Sequence, residues 1–349
     1  MTEQNSALWL PKRGTRFEVG PAAYTPAAQG EVVVRVRAVA VNPVDAIPGL
    51  AYRLVLPWLT FPAVIGSDVA GEVVETGPGV TRVKPGDRVL GHAFGVEKSQ
   101  NRAAEGAFQH YVVLMQHMLS PLPDTLPFEQ AAVLPLTLST AATGMFQKDH
   151  LALALPTVSA ADRSETVLVW GASTSVGSSA VQLARNAGYR VVATASPRNF
   201  DYVRSLGAAE IVDRNSSTAV AELVERIGES PLAGTLAIGN GSLKPTIAVA
   251  ARTTGSKRVA SAMPSLFVRM GARRASRLGV TVSGIWGGTL KDNEIGPAIY
   301  ADFLPAALAS GVFRAAPDAS VVGHGLDAIP EALRQLKKGV SAKKLVVTL

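Results

Sequence analysis

Residues 167–177 read VLVWGASTSVG, a short apolar run entering a turn of small residues, and a helical pattern continues from Ser175 to Ala187. Such a turn can cradle the pyrophosphate of a dinucleotide. Small residues let the backbone approach the phosphates, and the helix that follows offers free N–H groups and the positive end of its dipole. Gly171 and Gly177 are in place, while Thr174 and Ser175 stand where further glycines are common. An ordinary strand-to-helix turn is the plainer reading of the same residues.

A second apolar run, Tyr189 to Ala195, ends roughly twenty residues after Gly171, where an acidic residue would grip the ribose 2′-hydroxyl of NAD. No acid stands there. The chain continues Ser196, Pro197, Arg198, Asn199, and Arg214 follows a third run, Glu210 to Asp213. Hydroxyl, amide and guanidinium groups suit a 2′-phosphate, which a carboxylate would repel, so the edge favours NADPH over NADH. Ser196 to Asn199 also read as caps of a helix running to Leu206, a role compatible with the first.

The elements around these residues alternate. A helix is expected over 131–146, then strand 166–170, helix 175–187, strand 190–195, helix 199–205, strand 210–213, helix 217–227 and strands 234–238, 257–261 and 280–285. That order predicts a parallel sheet with helices on both faces. Before it, Glu31–Val41, Val69–Thr76 and Asp87–Leu90 alternate apolar and polar residues between Gly-Pro-Gly and Lys-Pro-Gly turns, the pattern of a compact β-domain. Residues 95–107 are polar and read as a flexible loop. After it come helices at 297–309 and 328–338 and a strand at 344–349, so a dinucleotide domain is inserted between two pieces of a β-rich one.

Composition narrows the chemistry. With 349 residues, two domains are expected. Cysteine is absent, which excludes disulfides, thiolate nucleophiles and Cys-ligated metal, and His92, His110, His117, His150 and His324 are scattered without ligand spacing, so no metal is expected. No apolar run of about 18 residues and no leader-like start is present, so a cytoplasmic protein without membrane contact is expected. The net charge of +7 concentrates at Lys257, Arg258, Arg269, Arg273, Arg274 and Arg277. A helix over 265–278 would place Arg269, Arg273 and Arg277 on one stripe. Nucleic acid is a poor match, with no aromatic-interleaved basic surface. The stripe is a solvated face or a contact for a phosphorylated carrier such as an acyl-carrier protein or coenzyme A.

Over nearly its whole length the chain resembles the zinc-independent branch of the medium-chain dehydrogenase/reductases, which holds quinone oxidoreductases and enoyl reductases. The segments that carry the resemblance are AVNPVD (40–45), PAVIGSDVAGEVVETGPGV (62–80), VKPGDRVLG (83–91), GAFQHYVV (106–113), LPLTLSTAATG (134–144), VLVWGASTSVG and GVSAKKLVV (339–347). Where zinc-dependent relatives carry Cys and a His-Glu pair, this chain has Asn42 and Ser67-Asp68. SPRNFDYVRSLGAAEIVD is similar to the fungal trans-acting enoyl reductases. The resemblance implies an α/β fold: a GroES-like β-rich catalytic domain (1–137 and 289–349) and a Rossmann nucleotide-binding domain with a doubly wound parallel sheet (138–288). It implies nicotinamide in a cleft between them, near Asn42, Asp45 and Thr140. Phosphates would lie on Ser173, Thr174, Ser175 and Val176, and the 2′-phosphate near Ser196, Arg198, Asn199 and Arg214. Val259, Ala260, Ser341 and Lys343 would close the site. A homodimer through the strand at 280–285 is expected by the same analogy.

Reduction of an activated C=C bond needs a hydride, a group that polarises the carbonyl and a proton for the α-carbon. NADPH supplies the first. Tyr52, seven residues after Asp45, is the candidate proton donor or carbonyl partner, or else a ring packed among Leu50, Leu54, Val55 and Leu56. Thr140 orients substrate or ribose, or bonds its own helical turn. Trp286 lines an acyl pocket or fills core. The expected activity is reduction of an enoyl thioester or α,β-unsaturated carbonyl, with quinone reduction and non-catalytic NADPH binding as alternatives.

Overall fold

The structure is a computed structural model describing residues 4–47, 49, 51–262 and 265–349; of residues 265–267, 269 and 270 it gives the helix they belong to and not the side chains. Contacts divide the chain into two units, Met1–Leu136 with Asp318–Leu349, and Thr137–Pro317.

The first unit opens with β1 (Asn5–Leu10) and β2 (Glu18–Ala22), an antiparallel pair. Its main sheet is built on β3 (Glu31–Ala40), while the short β4 (Ala63–Val64) adds to β1. Antiparallel to β3 run β5 (Asp68–Thr76) and, along its first half, β7 (Tyr111–Met115); β6 (Arg88–His92) and β8 (Leu119–Pro121) follow beyond β5. The valines of β3 are buried, and the charged positions that interrupt them, Arg35 and Arg37, reach Glu72 of β5 at 2.5 and 3.0 Å. Residues 95–107 are tied down rather than loose. Arg102 bridges Glu31 and Glu105 at 2.9 and 2.8 Å, and the Gln109 amide donates to the carbonyls of Ala103 and Gly106.

The second unit holds a sheet of β9 (Thr166–Trp170), β10 (Arg190–Ala195), β11 (Glu210–Asp213), β12 (Leu232–Ala237), β13 (Arg258–Ser261) and β14 (Thr281–Gly284). Every pairing is parallel and the order is β11-β10-β9-β12-β13-β14. The chain starts at the centre, winds outward to one edge, then crosses back to the other, the doubly wound order. All five residues of β9 are buried, as a strand covered on both faces requires. Leu168, Trp170 and Val192 pack there with Leu223 and Ile227 of the helix Ala219–Ile227 and Ile247 of the helix Leu243–Arg252. The chain then returns to the first unit as β15 (Asp318–His324), the helix Ile329–Lys338 and β16 (Lys343–Thr348), which lies parallel to β15 and antiparallel to β3.

Several expectations shift. The helix expected over 131–146 is two, Phe128–Ala131 and Pro135–Phe146, because Pro135 opens the second. The helix expected at 297–309 runs as a helical turn Ile295–Pro297, a π-helical turn Ala298–Phe303 and a helix Leu304–Ser310. Pro305 lacks an N–H for the regular ladder, and the wider turn brings the Tyr300 hydroxyl within 2.8 Å of Ser139 Oγ. β1, β2, β15 and the helix Leu243–Arg252 were not expected from sequence. Residues 289–317, assigned by resemblance to the β-rich domain, belong instead with the parallel sheet up to Pro317. Side chains of the helix Ser175–Asn186 hold the end of this segment. Gln182 accepts from Arg314 N–H at 2.9 Å and donates to its carbonyl at 3.1 Å, and Asn186 donates to Val312 O at 3.1 Å.

Gln182→Ala strands both backbone groups of Arg314 and should lower stability by about 1–3 kcal/mol, measured by urea unfolding; no change would mean that this clamp is dispensable.

Candidate functional site

The nucleotide turn sits where β9 and β12 adjoin, the point at which the strand order reverses and ligands of open α/β sheets bind. Gly171 ends β9 with φ of 86°, and a Cβ there would lie 2.6 Å from Ile238 O, so only glycine fits. Across the turn, a Cβ on Gly177 would stand 2.3 Å from Gly171 O. Thr174 closes the turn. Its hydroxyl donates to Gly171 O at 2.8 Å and accepts the Gly177 N–H at 3.0 Å, capping the helix Ser175–Asn186. Between the two buried glycines, Ser173, Thr174, Ser175 and Val176 are half-buried and face outward enough to meet a ligand. Phosphate can therefore reach the backbone and the first-turn N–H groups, which is the fit a dinucleotide needs. The Thr174 hydroxyl, expected on the phosphate, is used within the turn.

The edge expected to meet the ribose lies at the ends of β10 and β11. Ala195 pairs with Asp213, and Arg214 N–H donates to Ala195 O at 3.1 Å, which brings Arg214 beside Ser196. Arg198 and Arg214 are exposed, Ser196 is half-buried and Asn199 is buried. A 3-10 turn, Pro197–Asn199, leads into the helix Phe200–Ser205, so the capping role coexists with the edge. Of the acids on these segments, Asp213 accepts Asn215 N–H at 3.0 Å and Asp201 meets Arg204 at 2.8 Å. Tyr202 joins the two helices through its hydroxyl, 2.7 Å from Ser178 Oγ.

In the first unit, four neighbouring strands end in polar residues at one place. Continuing the β16–β3 register sets Lys344 opposite Asn42, Asp68 opens β5 and pairs with His92 of β6, and all four side chains are buried. Asn42 Nδ2 donates to Asp68 Oδ2 at 2.8 Å, and the Lys344 ammonium lies 2.9 Å from the same oxygen while also donating to Asn42 Oδ1. Asp68 Oδ1 accepts Leu136 N–H at 2.6 Å. Asn42 precedes the 3-10 turn Pro43–Ala46. Proline sits at its first position, and Asp45 Oδ2 accepts Asn42 N–H at 2.8 Å. Burial pushes the Asp45 carboxyl up to about 7, opposed by that hydrogen bond and by Lys344 and reinforced by Asp68. Burial likewise lowers His92 to about 4, leaving it neutral, its ring tilted against Phe94 with the centroids 4.1 Å apart. Tyr52 is 3% exposed, edge-on to Phe61, and burial followed by the nearby Asp45 charge raises its hydroxyl to about 12. It keeps its proton at any ordinary pH. Of its expected neighbours, Leu54 is exposed and Leu50 lies outside the described residues.

Thr140 is half-buried on the helix Pro135–Phe146, and a Cβ at Gly287 would stand 2.7 Å from its hydroxyl, so glycine there gives the threonine room. Val259 and Ala260 are buried in mid-strand with ladder partners on both sides and present no side chain to a ligand. Ser341 and Lys343 are exposed; of the adjacent lysines, Lys344 is the buried one. Trp286 is half-buried. In the basic cluster, Lys257 caps the helix Leu243–Arg252, donating to Ala250 O at 2.7 Å, and Arg258 donates to the carbonyls of Lys148 and His150. Arg273, Arg274 and Arg277 are exposed and line an open depression of about 560 Å³ with Leu278; the Arg269 side chain lies outside the described residues. Among the described residues, no group of three His, Asp or Glu could hold a metal ion, and no helix is long and apolar enough to cross a membrane.

Residues 28–124 match the alcohol dehydrogenase GroES-like domain. The chain is 46% identical over 352 residues to dehydrogenase azaJ of Aspergillus niger, covering 99% of both chains. It is 34% identical over 347 residues to trans-enoyl reductase himH of Aspergillus japonicus, covering 99% of this chain and 97% of the relative. A solved alcohol dehydrogenase superfamily protein from Novosphingobium aromaticivorans superimposes with a TM-score of 0.77 at 25% identity over 99% of both chains. The chain thus belongs to the medium-chain dehydrogenase/reductase family, as a GroES-like unit joined to a Rossmann parallel sheet. It is an oxidoreductase, and its family implies a nicotinamide dinucleotide.

Two outcomes follow. Gly171→Ala should weaken dinucleotide binding by about tenfold or more, read by quenching of protein fluorescence. Because Asp45 binds its proton more tightly folded than unfolded, its contribution to stability is complete below about pH 4 and lost as pH rises towards 7. Asp45→Asn escapes that loss, so its stability relative to the parent should improve by about 2–3 kcal/mol more at pH 8 than at pH 5. Equal differences at both pH values would contradict the raised carboxyl.

Proposed function

We propose that the protein is an NADPH-dependent, zinc-independent reductase of activated carbon–carbon double bonds, acting on an enoyl thioester or an α,β-unsaturated carbonyl compound. The observation that carries the reading is the buried Tyr52, whose hydroxyl keeps its proton, beside the buried Asp45, whose carboxyl is raised to about 7, in a unit whose other buried charges are paired, Lys344 with Asp68 and Glu105 with Arg102. A reaction that must place a proton on carbon has use for such groups, whereas a quinone can take a hydride and draw its proton from water. The name of the relative himH, a trans-enoyl reductase, favours the same reading.

Bound nicotinamide would supply the hydride. The residues of this chain would do the rest. Ser173 to Val176 and the N-terminus of the helix Ser175–Asn186 hold the pyrophosphate, and Ser196, Arg198, Asn199 and Arg214 hold the 2′-phosphate. In the first unit, Asn42 and Asp45 would meet the nicotinamide end. Tyr52, protonated at rest, would donate a hydrogen bond to the carbonyl oxygen as negative charge gathers on it, or give its proton to the α-carbon and be reprotonated from solvent. An acyl chain on coenzyme A or an acyl-carrier protein would offer phosphate to Arg273, Arg274 and Arg277.

The test is oxidation of NADPH and NADH against enoyl thioesters, alkenals and quinones. NADPH should be preferred, and replacing Arg198 and Arg214 together with alanine should weaken NADPH by about tenfold while leaving NADH unchanged. Tyr52→Phe should slow enoyl reduction on the order of a hundredfold. Undiminished enoyl reduction removes Tyr52 from the reaction, turnover of quinones alone favours a quinone reductase, and tight NADPH binding without turnover favours a binding protein.

A further inference from the structure

We propose that Lys344 is a positioning residue, the fixed internal cation that holds Asn42 and Asp68 so that the Asn42–Asp45 turn stays closed. The placement singles it out from its exposed neighbour, Lys343. Lys344 is 5% exposed and Asp68 is fully buried, and the ammonium spans two strands, meeting Asp68 Oδ2 at 2.9 Å and Asn42 Oδ1.

A buried ion pair adds little net stability, since desolvation offsets most of the attraction. What such a pair does well is fix orientation. With Lys344 donating to Oδ1, the Asn42 carboxamide can only present its Nδ2 to Asp68, where it donates at 2.8 Å. Asp68 is filled in turn by Leu136 N–H at 2.6 Å. The Asn42 side chain is thereby clamped at both ends, and its backbone N–H is aimed at Asp45 Oδ2, 2.8 Å away. The path from ammonium to Asp45 runs through bonded atoms: Lys344, the Asn42 carboxamide, the Asn42 backbone, the Asp45 carboxylate. A neutral side chain at 344 leaves Asn42 free to rotate and the turn free to open.

Because Lys344→Met alone strands a buried carboxylate and can fail to fold, the decisive protein is the double variant Lys344→Met with Asp68→Asn, which removes both charges together. Two readouts are taken at matched thermal stability. The first, independent of any substrate, is hydrogen exchange of the Asn42 backbone amide. It should quicken by about tenfold or more in the double variant, while amides in the core of β3 exchange as in the parent. The second is turnover of an enoyl thioester with NADPH. Here kcat should fall by about tenfold while Kd for NADPH stays within about twofold, because the phosphate turn belongs to the other unit. Unchanged exchange at Asn42 overturns the proposal, as does faster exchange with kcat unchanged, or a kcat loss matched by weaker NADPH binding. The catalytic arm rests on the proposed reductase reading. Should the parent turn over no acceptor, that reading fails, and the exchange measurement alone decides the role of Lys344.

Discussion

A charge carried into a protein interior has to be met there, and the pairing of Lys344 with Asp68 is the condition on which the first unit is arranged. The ammonium arrives on the last strand, from a segment that returns only after the whole parallel sheet has been traversed, and it closes the end of a sheet begun by β3 and β5. Slipping β16 by one residue would turn Lys344 outward, put Lys343 or Leu345 against Asp68 and leave a carboxylate unmatched. The pair therefore specifies register, and with it the position of Asn42 and the turn that carries Asp45.

The second unit depends on steric closeness. At the switch between β9 and β12 the backbones of Gly171, Gly177 and Ile238 come within distances that no Cβ would permit. Thr174 then fastens the turn from within, so that the helix beyond it begins with open N–H groups. Charge selects in the first unit and shape in the second, and the two sets of residues answer to different substitutions.

Sequence displayed the second unit well and the first poorly. Strands buried on both faces, such as VLVW and YRVVATA, are continuous apolar runs ended by glycine or small residues, and β9, β10, β11 and the helix Ser175–Asn186 lie within a residue of their expected places. β2 and β15 were illegible because they are partly or largely exposed and carry Gly, with Pro as well in β2. Residues 289–317 meet distant parts of their unit, Tyr300 at Ser139 and the carbonyls of Val312 and Arg314 at Asn186 and Gln182, contacts no local pattern announces. Asn42, Asp45 and Tyr52 could be singled out from sequence, but not that they share a buried neighbourhood with His92 and Lys344. The lysine doublet hid the last of these. A charged residue opening an apolar closing strand, one of an adjacent pair of which only one can point inward, was the available signal.

The central claim is that this chain moves a hydride from NADPH to an activated double bond and supplies the accompanying proton from within the protein. The most direct measurement is the product of an α,β-unsaturated acyl thioester treated with NADPH and the protein, followed by mass spectrometry alongside loss of the cofactor's near-ultraviolet absorbance. The account predicts the saturated thioester in step with NADPH consumed, and much slower consumption of NADH. An unreduced thioester with NADPH spent only on quinones, or equal use of the two cofactors, would contradict it.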